Sequence, residues 1–262
     1  MNARRSKLKD IPHRPTTHAG LWLDRYLAKQ VDRNNSGDSG DRSKQFDALF
    51  APVVTCAIPS GQLYQAAFER WKTLVAAHDG LESRLATVTG RMVVGLGSAS
   101  VWENSIRLHH TYGVPVIPGS ALKGLAARFA ANWLGEEWKR EGEAHQTMFG
   151  TTESAGYVTF YDAWYVSNGD KLPLLKDVIT VHHKEYYQEK KDEDGKIKPP
   201  ADWDSPTPIQ FLSANGKYLI TLGGVDAWRK RAFEIVALAL EHEGIGAKTS
   251  SGYGRMKLQG NS

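Results

Sequence analysis

The order of strand-like and helix-like segments in this chain of 262 residues predicts an α+β fold: a ferredoxin-like (RRM-like) βαββαβ domain with an N-terminal helical extension and a long insertion. Three observations carry that prediction. Two segments, Ser120 to Gly135 and Asp226 to Gly244, repeat apolar residues at helical spacing. The stretches flanking them alternate or are rich in β-branched and aromatic residues. With the polar excursion at about 171–208 set aside, the remaining text reads β, α, β, β, α, β. The expected organisation is therefore a basic arm, short helix and flexible loop over 1–50, then the domain over 51–262.

Taken in order, "GLWLDRYLAKQ" places Leu21, Trp22, Tyr26 and Leu27 at helical spacing and predicts a short amphipathic helix. "NNSGDSGDRSKQ", Asn34 to Gln45, has no apolar residue and reads as a loop. Ser60 should cap a helix that ends near Gly80, with Leu63, Ala67, Phe68, Trp71, Leu74 and Val75 on one face. "LATVTGRMVVGLG" alternates from Leu85 to Gly97 and predicts a half-buried strand with Ala86, Val88, Met92, Val94 and Leu96 inward. Pro118 stops a strand, Ser120 caps the next helix, and Leu122, Leu125, Ala126, Phe129 and Trp133 form its buried stripe. Gly156 to Val166 is a second strand. The stretch from Val181 to Pro208 mixes charge, proline and aromatics and reads as a protruding insertion. Asn215-Gly216 marks a hairpin turn, Asp226 caps the last helix, Gly244 ends it, and "GYGRMKLQ" is the final strand.

Composition narrows the function. Net charge is +4, and the first 14 residues supply all of it through Arg4, Arg5, Lys7, Lys9 and Arg14 against Asp10. An anionic partner must meet that arm or local basic clusters on a balanced surface. No apolar run is long enough to span a bilayer and no signal segment opens the chain, which predicts a soluble, cytoplasmic protein with no membrane partner. Cys56 is the one cysteine, without a partner at metal-ligand spacing, and reads as a small core residue.

"GIGAKTSSGYGRM", from Gly244 to Met256, has the composition of a phosphate-binding P-loop but not its spacing. Ala247 precedes Lys248 where the motif needs glycine, and a helix precedes the loop instead of following it. Its glycines still permit close backbone approach, and Lys248, Thr249, Ser250, Ser251 and Arg255 offer donors to anionic oxygens. "IPGSALKG" is a second candidate, because a helix starting at Ser120 presents free N–H groups and Lys123 lies in its positive first turn. "SVWENSIRLHHTYG" interleaves Arg107, His109 and His110 with Tyr112, as single-stranded nucleic-acid surfaces do. The pairs His109/His110 and His182/His183 have neither metal spacing nor same-face geometry, so no metal, cofactor or catalytic residue is predicted. Asp162, within an aromatic strand, reads as a backbone hydrogen-bond acceptor.

Four ordered blocks, "VPVIPGSALKGLAARF", "MFGTTESAGYVTFYDA", "DVITVHHKEYYQ" with "PPADWDSPTPIQFL", and "GIGAKTSSGYGRM", resemble the RAMP superfamily of CRISPR-associated proteins. More narrowly they are similar to the terminal RAMP subunit of type III-B (Cmr) effector complexes, over about Leu85 to Leu258. The family's glycine-rich loop falls on Gly244, Gly246, Lys248, Thr249, Ser250, Gly252, Tyr253 and Gly254, with Ser251 where many relatives carry a basic residue. The resemblance implies a subunit that binds guide RNA and caps the backbone near the guide's 3′ end, without cleaving the target. Implied partners are guide and target RNA, the backbone RAMP subunit and the small helical subunits. The expected RNA contacts are Arg107, His109, Ser120, Lys123, Gly246, Lys248, Thr249, Ser250, Tyr253 and Arg255. A histidine-dependent endoribonuclease that processes guide precursors is the competing reading, and a small-molecule enzyme on the same fold a third.

Overall fold

The computed structural model describes residues 17–26, 39–55, 61–100, 104–167, 172–181 and 206–260, most of 183–204, and residues 12 and 14. Three helices come first: α1 (Ala19–Arg25), α2 (Ser39–Val54) and α3 (Gly61–Ala76). The domain follows as β1 (Leu81–Val88), β2 (Val116–Ile117), α4 (Gly119–Trp133), α5 (Glu143–Phe149), β3 (Val158–Phe160) and β4 (Ala163–Val166). It continues through β5 (Leu174–Val181), α6 (Lys184–Tyr187), β6 (Thr207–Ala214), β7 (Lys217–Gly224), α7 (Asp226–His242) and β8 (Met256–Leu258).

The main sheet runs β2-β4-β7-β1-β8, with β3 also on β7, and its pairs are antiparallel. With the short β2 set aside, α4 lies between β1 and β3/β4 and α7 between β7 and β8, each pair one strand apart in the sheet, which is the split βαβ arrangement expected from the order of elements. Central strand β7 is buried on both faces, so its text "YLITL" is a continuous apolar run with Thr221 as the one polar member. Thr221 is satisfied by the Ser83 hydroxyl at 2.7 Å and the Trp71 indole at 3.3 Å. On one face lie α4, through Leu122, Leu125, Ala126 and Phe129, and α7, through Phe233, Val236 and Leu240. On the other lies α3, whose Tyr64 hydroxyl donates to the Tyr165 carbonyl and whose Trp71 stacks on Trp164 at 6.4 Å.

Several sequence expectations change, each for a visible reason. The strand expected from Leu85 to Gly97 starts at Leu81 and ends at Val88, because Thr89 turns to meet Arg255 and Met92 then exchanges backbone bonds with Ala214 at 2.7 and 2.8 Å. The strand expected over Gly156 to Val166 breaks at Tyr161 and Asp162 into β3 and β4, which both remain on β7. Asn215 and Gly216 do not close a hairpin. They carry the chain out of β6, which pairs with β5, into β7 of the main sheet. The last seven residues of the expected loop, Ser39 to Gln45, belong to α2, which crosses the boundary expected after residue 50. Phe46, Leu49, Phe50 and Val53 drive that helix by burying one face in the main core. Leu63, Leu74 and Trp133 are 53%, 44% and 69% exposed, where the buried faces had been expected, and Tyr64 is the buried anchor of α3 instead. Cys56 and Ser60 lie outside the described residues, as does Leu27.

Ser120 and Asp226 are not the caps of their helices, which begin one residue earlier and at Asp226 itself. The start of α4 is capped from a distance: the Gly119 N–H donates to the Asp162 Oδ1 at 2.8 Å. The break between β3 and β4 is what frees Asp162 for this contact. Replacing it, as Asp162→Ala, should lower the unfolding free energy by about 1 kcal/mol, the usual worth of a capping oxygen. Urea denaturation checks this through a lower midpoint at an unchanged slope.

Candidate nucleic-acid interface

The glycine-rich segment leaves α7 through Gly244, whose N–H returns to the Ala239 carbonyl at 3.0 Å with φ +78°. Two bonds then pin its flanks to the strip that follows β1: Ala247 N–H to the Val93 carbonyl at 2.7 Å, and Gly254 N–H to the Arg91 carbonyl at 2.8 Å. Between them the chain makes a single 3-10 turn, Thr249–Ser251, entered from Lys248 in the left-handed region at φ 61°. The bonds of that turn come from Ser251 and Gly252, so the amides of Thr249 and Ser250 donate to no backbone carbonyl among the described residues. Lys248 and Thr249 are half-buried, and Gly246 and Ser250 are exposed. The turn carries two amides without a backbone acceptor among the described residues, two hydroxyls and a cation, an inventory suited to phosphate oxygens.

The strip from Val93 to Leu96 is also paired on its other side. Arg107 N–H donates to the Val94 carbonyl at 2.7 Å and Ser105 N–H to the Leu96 carbonyl at 3.1 Å. Val116 N–H in turn reaches the Arg107 carbonyl at 3.4 Å, and His109 N–H the Val114 carbonyl at 2.7 Å. Two residues beyond β2, α4 opens with Ser120, exposed, and Lys123, half-buried. Backbone bonds therefore line up three segments in sequence: the Lys248 turn, exposed Arg107, and the uncharged strand that leads into the start of α4, where Lys123 lies. Gly119 can sit there because a Cβ would stand 2.1 Å from the Phe160 carbonyl oxygen.

Three of the expected contacts have other work. The His109 ring lies 4.7 Å from Tyr112 and 5.4 Å from Trp164, and its Nδ1 accepts the Thr111 N–H at 3.2 Å. Burial pushes its pKa below the ordinary value, only partly opposed by Asp162, which favours the neutral ring within this aromatic cluster. Arg255 donates from its guanidinium to the Glu241 carbonyl at 3.0 Å, which closes the last turn of α7. The Tyr253 hydroxyl donates to Asp177 at 2.7 Å, and burial together with that carboxylate pushes the phenol up to about 12. Among the histidines discussed above, His183 faces Asp204 at 3.1 Å, His110 is exposed, and His182 lies outside the described residues.

Sequence reading missed Asp177, Arg91 and the bonding partner of Asp162. Asp177 left a trace: it falls on the same face of β5 as Leu175 and Ile179, where alternation asks for an apolar residue. Among the described residues no group of His, Cys, Asp or Glu could hold a metal ion, and no helix is long and apolar enough to cross a membrane.

A profile of the RAMP superfamily matches residues 84–257. The chain belongs to the RAMP superfamily. It is 32% identical to the CRISPR system Cmr subunit Cmr6 of Pyrococcus furiosus, over 74% of this chain and 75% of that protein, and is homologous to it. It is 23% identical to the CMR subunit Cmr6 of Saccharolobus solfataricus, over 87% of this chain and 76% of that protein. A chain in a cryo-EM structure of the type III-B Cmr-beta complex bound to cognate target RNA shares the fold, with TM-score 0.63, 20% identity, and coverage of 88% of this chain and 77% of that one. The profile takes in the glycine-rich loop, Arg107 and the start of α4, so the aligned segments are those that the RAMP domain comprises.

The lowered pKa of His109 makes stability depend on pH. Below its ordinary value of 6.5 the unfolded ring binds a proton that the folded ring resists, so the unfolded state holds more protons and stability falls as pH falls through that range. His145, also shifted down by burial, adds a loss of the same sign. Denaturation between pH 7.5 and about pH 5 should show the decline, and His109→Phe, which keeps the ring stacking, should reduce its slope.

Proposed function

We propose that this chain is a guide-RNA-binding structural subunit of a type III-B Cmr effector complex, capping the backbone near the 3′ end of the guide. The observation that carries the reading is the backbone ladder that sets the Lys248 turn, Arg107 and the approach to Lys123 side by side. Such a surface grips successive phosphates and reads no sequence, and in guide-dependent systems base pairing does the reading. Its partners are then guide RNA, target RNA, the backbone RAMP subunit and the small helical subunits, met in the cytoplasm. The relatives bear the name of Cmr subunits, and the structural neighbour sits in a complex with target RNA.

The β5–β6 ribbon and its tip fit a thumb lying against a duplex or a neighbouring subunit. Trp203 is 85% and Tyr187 73% exposed there, with Tyr186, Ile197 and Val178 exposed beside them. A histidine-dependent nuclease fits less well, because His109 spends its Nδ1 on a backbone amide and its ring faces on aromatics.

With single-stranded RNA, Lys248→Ala, Lys123→Ala and Arg107→Ala should each weaken binding uniformly across sequences and lower the slope of log affinity against log salt by roughly 0.7 per lost contact. Unchanged slopes in all three would remove the grip. For the capping position, complexes reconstituted without the chain should let a 3′ exonuclease trim the guide further than complete ones; equal trimming would place the chain elsewhere.

A further inference from the structure

The ribbon leaves the main core at Leu174 and returns at Ala214, and one carboxylate sits at its root. Asp177 Oδ2 accepts from the Tyr253 hydroxyl at 2.7 Å, the Arg91 guanidinium at 2.8 Å and the Ser213 hydroxyl at 3.3 Å. These donors come from three places: the glycine-rich loop, the strip after β1, and the ribbon's own returning strand. Arg91 also donates to the Lys176 carbonyl at 3.1 Å, while its own carbonyl holds the Gly254 amide at 2.8 Å. Phe211, across the ribbon from Asp177, packs against the Tyr253 ring at 6.0 Å and lies 6.0 Å from the Lys248 Nζ. The Asp177 side chain is 16% exposed, so these bonds act in a partly dry setting where charge-assisted contacts are strong.

We propose that Asp177 is a positioning residue for RNA: it locks the glycine-rich loop to the root of the ribbon, so that the Lys248 turn and the ribbon present one continuous path. The inference rests on the RNA-binding reading above. It makes a prediction opposite in sign to simple electrostatics. Removing an anion beside a phosphate site should tighten RNA binding, whereas unlocking the loop weakens it. A stabilising role alone lowers the melting temperature and leaves the affinity of the folded chain unchanged.

The test uses the full chain and a single-stranded oligouridylate at fixed salt. Asp177→Asn should raise Kd roughly five- to tenfold, the scale of losing one ordinary hydrogen bond, with the salt slope of the wild type. Tyr253→Phe, which removes one hydroxyl and no charge, should raise Kd in the same direction, and the double variant should be no weaker than Asp177→Asn alone. Hydrogen exchange at the amides of 246–254 should quicken in both single variants. Should Asp177→Asn fail to fold, Tyr253→Phe carries the same test. Wild-type affinity or tighter in the variants, with binding still lost in Lys248→Ala, overturns the positioning role alone. A wild-type chain without salt-dependent affinity for the RNA overturns the RNA reading and this inference with it.

Discussion

The rest of the interface depends on one close approach of backbone to backbone. A Cβ on Gly246 would stand 2.2 Å from the Val93 carbonyl oxygen, and the residue sits at φ +93°, so both space and dihedral call for glycine. Because the loop lies flush on that strip, Ala247 can bond Val93 and Gly254 can bond Arg91, and the residues between are pushed outward. The same strip bonds Arg107 on its other edge. Widening the first contact by a side chain would therefore move the Lys248 turn away from Arg107 and the strand beyond it, without touching a single cation.

A second constraint comes from what covers the sheet. In RRM-type modules an open sheet face offers aromatics on which bases stack. Here that role is unavailable. Trp71 of α3 lies over Trp164 and 5.3 Å from Tyr161, and Tyr64 reaches Tyr112 and Trp164, so the aromatic face is spent on holding a helix. With α4 and α7 on the opposite face, the loops and the protruding ribbon are, among the described residues of the domain, the surface left for a nucleic acid. This arrangement agrees with the proposed grip on the backbone of a strand whose bases are engaged elsewhere, as does the absence of stacking aromatics in the Lys248 turn itself.

The order of the domain's main strands and helices, and most of the buried stripes of α4 and α7, were legible in the sequence because burial in a two-layer fold imposes simple periods. The inward residues of α7, Phe233, Val236 and Leu240, were readable for that reason. The errors fall where long-range contacts override local pattern. "LATVTGRMVVGLG" keeps alternating past Val88, yet Met92 to Leu96 serves other partners, Ala214, the glycine-rich loop and Arg107, that no local period encodes. Asn215-Gly216 has the strongest hairpin chemistry in the chain and still joins two sheets, since β5 claims β6 and β1 claims the inner edge of β7. In the site, glycines, lysines and hydroxyls were recognisable by composition. The duties of His109, Arg255 and Tyr253 were not, because each is set by a partner distant in sequence: Trp164, Glu241 and Asp177.

The conformation of Lys248 sharpens the picture of how such a loop works. Lysine pays about 1 kcal/mol or more to sit in the left-handed region, and among the described residues only Glu189 shares that state outside glycine. Asparagine or glycine would adopt it more easily, so under the proposed reading the charge is what offsets the strain. The αL residue opens a 3-10 turn in which the amides of Thr249 and Ser250 have no backbone acceptor among the described residues. Phe211 and Tyr253 support it from beneath, and Asp177 holds Tyr253 in place with a carboxylate kept below the usual range: burial would raise it, but the Tyr253 hydroxyl and the Arg91 guanidinium outweigh that. A strained cation on a buttressed turn loses little further entropy when a phosphate arrives. That is what the proposed role requires, a hold on RNA that is firm in place yet indifferent to sequence.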